Sequence, residues 1–162
     1  MLKLRKNKKG FTLVELIVVI AIMAVLAGTV AGVTVSQLNK QTDNANKTQA
    51  KKVADYIASL IIEGDIYIST TTGVNNGKFV TVVETTENSV TTATEVALDD
   101  AKLKAKVATE FPKVIADAAG KGNISLSIPD AGNSIIVTYT HKQGDNKTTT
   151  YTINGEGIVS ES

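Results

Sequence analysis

The sequence predicts an α+β protein: a long N-terminal α-helix packed on an antiparallel β-sheet head. Three observations carry that expectation. Leu16 to Leu38 form 23 consecutive residues without a charge, most of them strongly apolar. Ala50, Val53, Ala54, Ile57, Ala58 and Ile61 then recur at the three- and four-residue spacing of one helix face. The last third of the chain alternates apolar and polar residues between turn-forming strings, the pattern of half-buried strands.

Taken in order, the uncharged run comes first. At ~1.5 Å per residue it makes a helix of roughly 34 Å, enough to cross a hydrocarbon core of ~30 Å. Its β-branched residues lower helicity in water. In lipid the helix is enforced, because no other single segment satisfies its own backbone groups. Small residues gather at Ala24, Ala27, Gly28, Ala31 and Gly32, and Gly28 with Gly32 has the GxxxG spacing that permits close helix approach. The amphipathic stripe continues the helix, and Gly64 is a candidate C-cap, so one helix is expected from about Phe11 to Glu63.

In the head, 65–70 and 78–84 read as a hairpin around Asn75-Asn76-Gly77, with 85–92 as a polar loop. Thr92-Ala-Thr-Glu95 has capping-box spacing and predicts a helix starting near Ala93 that carries Val96, Leu98, Leu103 and Val107. Pro112 ends it, and a short second helix is expected over 113–119. Strands follow at 123–128, 134–142 and 148–153, the last two joined by a turn at 143–146.

A length of 162 residues suits one domain with a modest core. The net charge of +1 is unevenly spread, because Lys3, Arg5, Lys6, Lys8 and Lys9 all lie in the first ten residues. Without that segment, 12 basic side chains face 16 acidic ones, a charge of −4 on 152 residues. This mildly acidic body argues against nucleic acid as the main partner. Cysteine is absent, which excludes disulfides, thiolate zinc sites and cysteine nucleophiles. His141 is the only histidine, so no His-pair metal site forms within one chain. The carboxylates show no constrained pair of the hydrolase kind. Composition points away from an enzyme, and no cofactor is expected.

Glu15 is the discordant residue. It sits between Phe11, Leu13 and Val14 on one side and Leu16, Ile17 and Val18 on the other. A carboxylate inside an apolar helix is costly unless it reaches the interface or finds a buried cationic partner. An ordinary secretory signal peptide would share the basic start and apolar stretch, with Val25-Leu26-Ala27 as its cleavage site. Glu15 interrupts such an apolar core, and the apolar segment runs on past Ala27.

The string Lys8-Lys-Gly-Phe-Thr-Leu-Val-Glu-Leu16 resembles the type IV pilin family, including the pseudopilins of type II secretion and competence systems. The likeness joins a short basic leader, a Gly, a Phe, and Glu as the fifth residue after the Gly to an unbroken apolar helix. It covers about residues 6 to 38. The resemblance implies cleavage between Gly10 and Phe11 by a membrane-embedded prepilin peptidase, which then N-methylates Phe11. Glu15 is implied to meet the terminal amine of a neighbouring subunit, so that a misaligned subunit strands both ions. The implied organisation is a leader at 1–10, a transmembrane and fibre-core helix at 11–38, an amphipathic half at 39–64 and a globular αβ head at 65–162.

The implied function is structural: a homopolymer of pilin subunits drawn from the membrane into a surface filament by inner-membrane machinery with its own ATPase. Adhesion, twitching motility or DNA uptake would follow. A pseudopilin is the alternative within the family. A single-span anchored binding domain that never polymerises is the alternative outside it. The basic leader is expected on the cytoplasmic side by the positive-inside rule.

Other candidate positions are weaker. Asp130, Asn133, Asp145 and Asn146 could offer oxygen ligands to calcium, but Asp and Asn are also default turn formers. Asn46, Asn123 and Asn146 begin glycosylation sequons. His141 lies in a strand pattern and is expected at the surface or half-buried.

Overall fold

A computed structural model describes residues 10–87, 89–112, 114–115, 120–130, 132–143 and 147–162. The leader cations, most of 113–119, and Asp145 and Asn146 lie outside the described residues. The chain divides into two compact units between Asn39 and Lys40.

A single helix, α1, runs from Leu13 to Ile62. In the N-terminal unit every described large apolar side chain of 11–38 is exposed, Phe11 at 90% and Met23 at 63% among them. By length and composition α1 is able to cross a membrane. From Lys40 onward the pattern is different. Ala50, Val53, Ala54, Ile57, Ala58 and Ile61 are all buried, as their spacing predicts, and Leu60 joins them. Gly64 ends the helix in the left-handed region, φ +85°, and the N–H groups of Gly64 and Ile66 return to the carbonyls of Ile61 and Leu60.

The head holds two antiparallel sheets. The first has the order β1 (Tyr67–Ile68), β2 (Phe79–Glu87), β3 (Val90–Ala97). The second is a meander of β4 (Ile124–Ser127), β5 (Ser134–Thr140), β6 (Thr148–Asn154) and β7 (Val159–Glu161). β5 and β6 alternate perfectly between buried and half-buried residues over 135–140 and 149–154. Ile135, Val137, Tyr139, Tyr151 and Ile153 from these strands share one core with the α1 stripe, Ile66, Phe79 and helix α2 (Asp100–Ala108). Tyr56 of α1 meets Phe111 edge-on, ring centroids 5.6 Å apart.

Three expectations are corrected. Residues 85–92 are not a loop: β2 runs to Glu87 and β3 starts at Val90, with Ser89 turning at φ +66°. No helix starts near Ala93. Residues 90–97 are rich in β-branched side chains and pair rung for rung with β2, from Glu87↔Val90 to Val80↔Ala97. The helix starts at Asp100 instead, capped by Asp99, whose carboxylate accepts the Lys102 N–H at 2.8 Å. Ile115, expected in a short helix, forms an isolated parallel bridge with Ile124. The strand β7 was not foreseen. It is three residues long, and the Asn154 side chain builds its turn by accepting the N–H groups of Glu156 and Ile158.

Candidate processing and assembly site

Gly10 and Phe11 precede the helix and are exposed, and open space surrounds the position of a Cβ at Gly10. The helix start is locked by two residues. The Glu15 carboxylate accepts the Thr12 backbone N–H at 2.8 Å and the Thr12 hydroxyl at 2.9 Å. The Glu15 N–H in turn points to the Thr12 hydroxyl at 3.3 Å. This is a reciprocal capping box, which satisfies donors that a helix N-terminus otherwise leaves bare. Sequence reasoning missed Thr12, although Thr12-Leu-Val-Glu15 carries the capping-box spacing openly.

The capping box gives Glu15 a partner inside its own chain. It also points the carboxylate toward the start of the helix, where the backbone dipole is positive and where a terminal amine on Phe11 would lie one turn away. Gly28 and Gly32 are exposed, with open space where each Cβ would stand. The surface that GxxxG spacing leaves accessible is therefore uncovered in the single chain.

A family model of the prokaryotic N-terminal methylation motif matches residues 5–31. That match supports the resemblance to type IV pilins and pseudopilins over the N-terminal segment. The matched segment contains Gly10, Phe11, Thr12 and Glu15, and ends inside the GxxxG stretch. No curated protein and no solved structure matches the chain significantly. The head is thus known from its own geometry.

The head holds a second polar centre. Asp43 of α1 is buried, and its carboxylate accepts the Tyr139 hydroxyl at 2.7 Å, the Lys142 N–H at 2.8 Å and the Gln143 N–H at 3.2 Å. Burial works to raise its pKa. The bonds from Lys142, Tyr139 and Gln143, with the charge of His141, outweigh burial and hold it below the usual carboxylate value. Burial, reinforced by Asp43, pushes the Tyr139 phenol up to about 12. His141 is half-buried and its Nε2 lies 2.8 Å from the Thr149 hydroxyl. Asp43 thus ties α1 to the C-terminal end of β5.

Of the remaining sequence candidates, Asp145 and Asn146 lie outside the described residues. Asp130 and Asn133 are exposed, and among the described residues no three His, Cys, Asp or Glu side chains are grouped to hold a metal. Asn46 is half-buried, its Nδ2 3.5 Å from the Gly122 carbonyl.

Proposed function

We propose that the chain is a structural subunit of a type IV pilus, not an enzyme. Prepilin peptidase cuts between Gly10 and Phe11 and methylates the new Phe11 amine. The apolar half of α1 holds the subunit in the membrane until inner-membrane machinery, driven by its ATPase, draws it into a homopolymer. The observation that carries this reading is the coincidence of the methylation motif with a helix whose apolar side chains are exposed on every side. Such a surface needs lipid before assembly and neighbouring helices after it.

Glu15 acts in the register of assembly. Its capping box with Thr12 keeps the carboxylate hydrogen-bonded in the single subunit. In the polymer the Phe11 amine of a neighbour supplies the counter-charge, and a subunit out of register leaves both ions unpaired. Subunits joined head to tail make an open assembly that grows as a filament.

The test is mass spectrometry of sheared cell-surface material. A pilus subunit appears there in quantity with an N-methylated Phe11 terminus. A processed chain that stays with the envelope marks a pseudopilin. A chain retaining residues 1–10 and found only in membranes marks an anchored binding domain and overturns the proposal.

A further inference from the structure

A cleft opens in the head beside Asp43. It holds about 320 Å³ and is lined by Lys40 and Asn44 of α1 and by His141, Gln143 and Lys147 at the end of the β5–β6 hairpin. Strand register explains why these residues meet. β5 and β6 pair up to Thr140↔Thr148, and the His141 N–H continues the ladder to the Lys147 carbonyl at 2.8 Å. Successive residues alternate faces. His141 therefore follows buried Tyr139, and Lys147 precedes buried Thr149, on the face where the Tyr139 hydroxyl meets Asp43 of α1. On the helix, Lys40 lies three residues before Asp43, and Asn44 lies one turn after Lys40.

The charges of this cleft are unbalanced. Its carboxylate, Asp43, is buried and already holds the Tyr139 hydroxyl and the N–H groups of Lys142 and Gln143. Lys40 and Lys147 are exposed. Neither joins the ion pairs found among the described residues, which are Lys47 with Glu161, Lys102 with Asp99, and Lys106 with Asp65. A concave surface lined by one sign of charge concentrates the opposite ion, so the cleft suits an anion. Its volume is at the small end for ligand pockets, the scale of a headgroup and not of an extended ligand. The sequence names the anion. Lys40 is the first charged residue after Glu15, and the uncharged run ends at Leu38. Lys40 therefore marks where the chain leaves hydrocarbon, and a lysine there lays its stem along the boundary with its ammonium among the headgroups. From Lys40 to Asn44 a helix rises ~6 Å, and the polar layer on one side of a bilayer is ~5–8 Å deep.

We propose that this cleft binds the phosphate of an anionic phospholipid headgroup while the subunit resides in the membrane. Lys40 from the helix and Lys147 from the hairpin supply the counter-charge, and the Asn44 amide donates to a phosphate oxygen. A phosphodiester without a balancing cation, such as that of phosphatidylglycerol, is preferred over a zwitterionic one. The bound lipid ties the head to the bilayer until the subunit is drawn out. The inference rests on the membrane stage of the reading above and adds a lipid site on the head.

His141 is the only histidine, so its ring resonances report on this cleft alone. The full-length chain is placed in nanodiscs of phosphatidylcholine, and phosphatidylglycerol is raised stepwise at fixed pH and salt. The expected result is a saturating shift of the His141 ring signals. Lys40→Gln with Lys147→Gln loses the shift, and Lys40→Arg with Lys147→Arg keeps it. Lys51→Gln with Lys52→Gln, which removes the same charge elsewhere on α1, keeps it too. A shift that survives in the first pair reports only the surface charge of the bilayer and overturns the site, as does its loss in either of the other two. Inorganic phosphate and a short DNA duplex, each added to the phosphatidylcholine nanodiscs, are expected to leave the signals in place. An equal shift with either one assigns the cleft to a soluble phosphate or to nucleic acid and overturns the lipid site. A chain that does not insert into the nanodiscs at all overturns the membrane stage itself.

Discussion

Two stretches of this chain share one pattern and fold in opposite ways. Thr12-Leu-Val-Glu15 and Thr92-Ala-Thr-Glu95 both place a threonine three residues before a glutamate. At the first, Thr12 and Glu15 exchange hydrogen bonds and open a helix of 50 residues. At the second, Thr92 faces Thr85 across a hairpin and Glu95 reaches another segment, binding Tyr67, Ser69 and Thr71. A capping box offers a local alternative for a few backbone donors. It decides the outcome only when the residues after it also prefer a helix. After Glu15 comes an apolar run long enough to cross a membrane, a setting in which a helix is obligatory. After Glu95 come Val96 and Ala97, which complete a ladder begun at Val90, and Asp99 is a better cap.

The comparison breaks most severely at Glu15. Glu15→Ala is expected to leave membrane insertion intact and to cut filament yield by roughly tenfold or more, since an unpaired ion in an apolar bundle costs several kcal/mol. Quantifying sheared polymer against total membrane-bound chain checks this. Equal yields would show that Glu15 is only a cap.

A third carboxylate sharpens the contrast, because Asp43 is buried where Glu15 is exposed and Glu95 half-buried. Asp43→Ala strands the Tyr139 hydroxyl and the N–H groups of Lys142 and Gln143, and is expected to destabilise the head by about 2–4 kcal/mol. Denaturant unfolding followed by circular dichroism in detergent measures it.

Acid should act on the same centre. The folded pKa of Asp43 lies below its ordinary 3.8, so its stabilisation is fully present above that pH. It is lost as pH falls through 3.8 and on through the folded value. The Ser69 hydroxyl, against the pull of burial and with help from Tyr67 and Thr71, holds Glu95 below its ordinary 4.5 in the same way. Melting temperature should therefore drop steeply below about pH 4. Asp43→Asn should flatten that drop, and an unchanged slope would assign it to other carboxylates.

The smallest effects separate the two Thr-x-x-Glu strings directly. Glu95→Gln is expected to loosen the 69–78 segment, read as faster amide exchange there with the C-terminal sheet unaffected. Thr92→Ala, on an exposed strand surface, is expected to change head stability by no more than about 0.5 kcal/mol. A loss of about 1 kcal/mol or more would mean that Thr92 caps something after all.

The parts of the fold that were legible in the sequence are those set by periodic burial. Ala50 to Ile61 and the strands β4, β5 and β6 each repeat their pattern long enough to fix a face. The β2–β3 hairpin was hidden because its outer half is buried on neither side, so no alternation marks it, and polar threonines read as loop. The Asp43 clasp was invisible for another reason. Its partners lie 96 to 100 residues away, and nothing local distinguishes it from a surface aspartate between Thr42 and Asn44. At the processing site, Gly10, Phe11 and Glu15 could be named from the motif. Thr12 is harder to see, because a carboxylate in an apolar run reads as a stranded charge, while its role as a helix cap shows only in the bonds to Thr12.

The same clasp has a mechanical meaning. A tensile load travelling along α1 out of the N-terminal unit enters the head where Asp43 grips a tyrosine hydroxyl and two backbone amides near the end of β5. Three short bonds loaded together resist rupture better than the same bonds met in succession. Without a cystine to bear strain, this chain places its anchor point on one carboxylate.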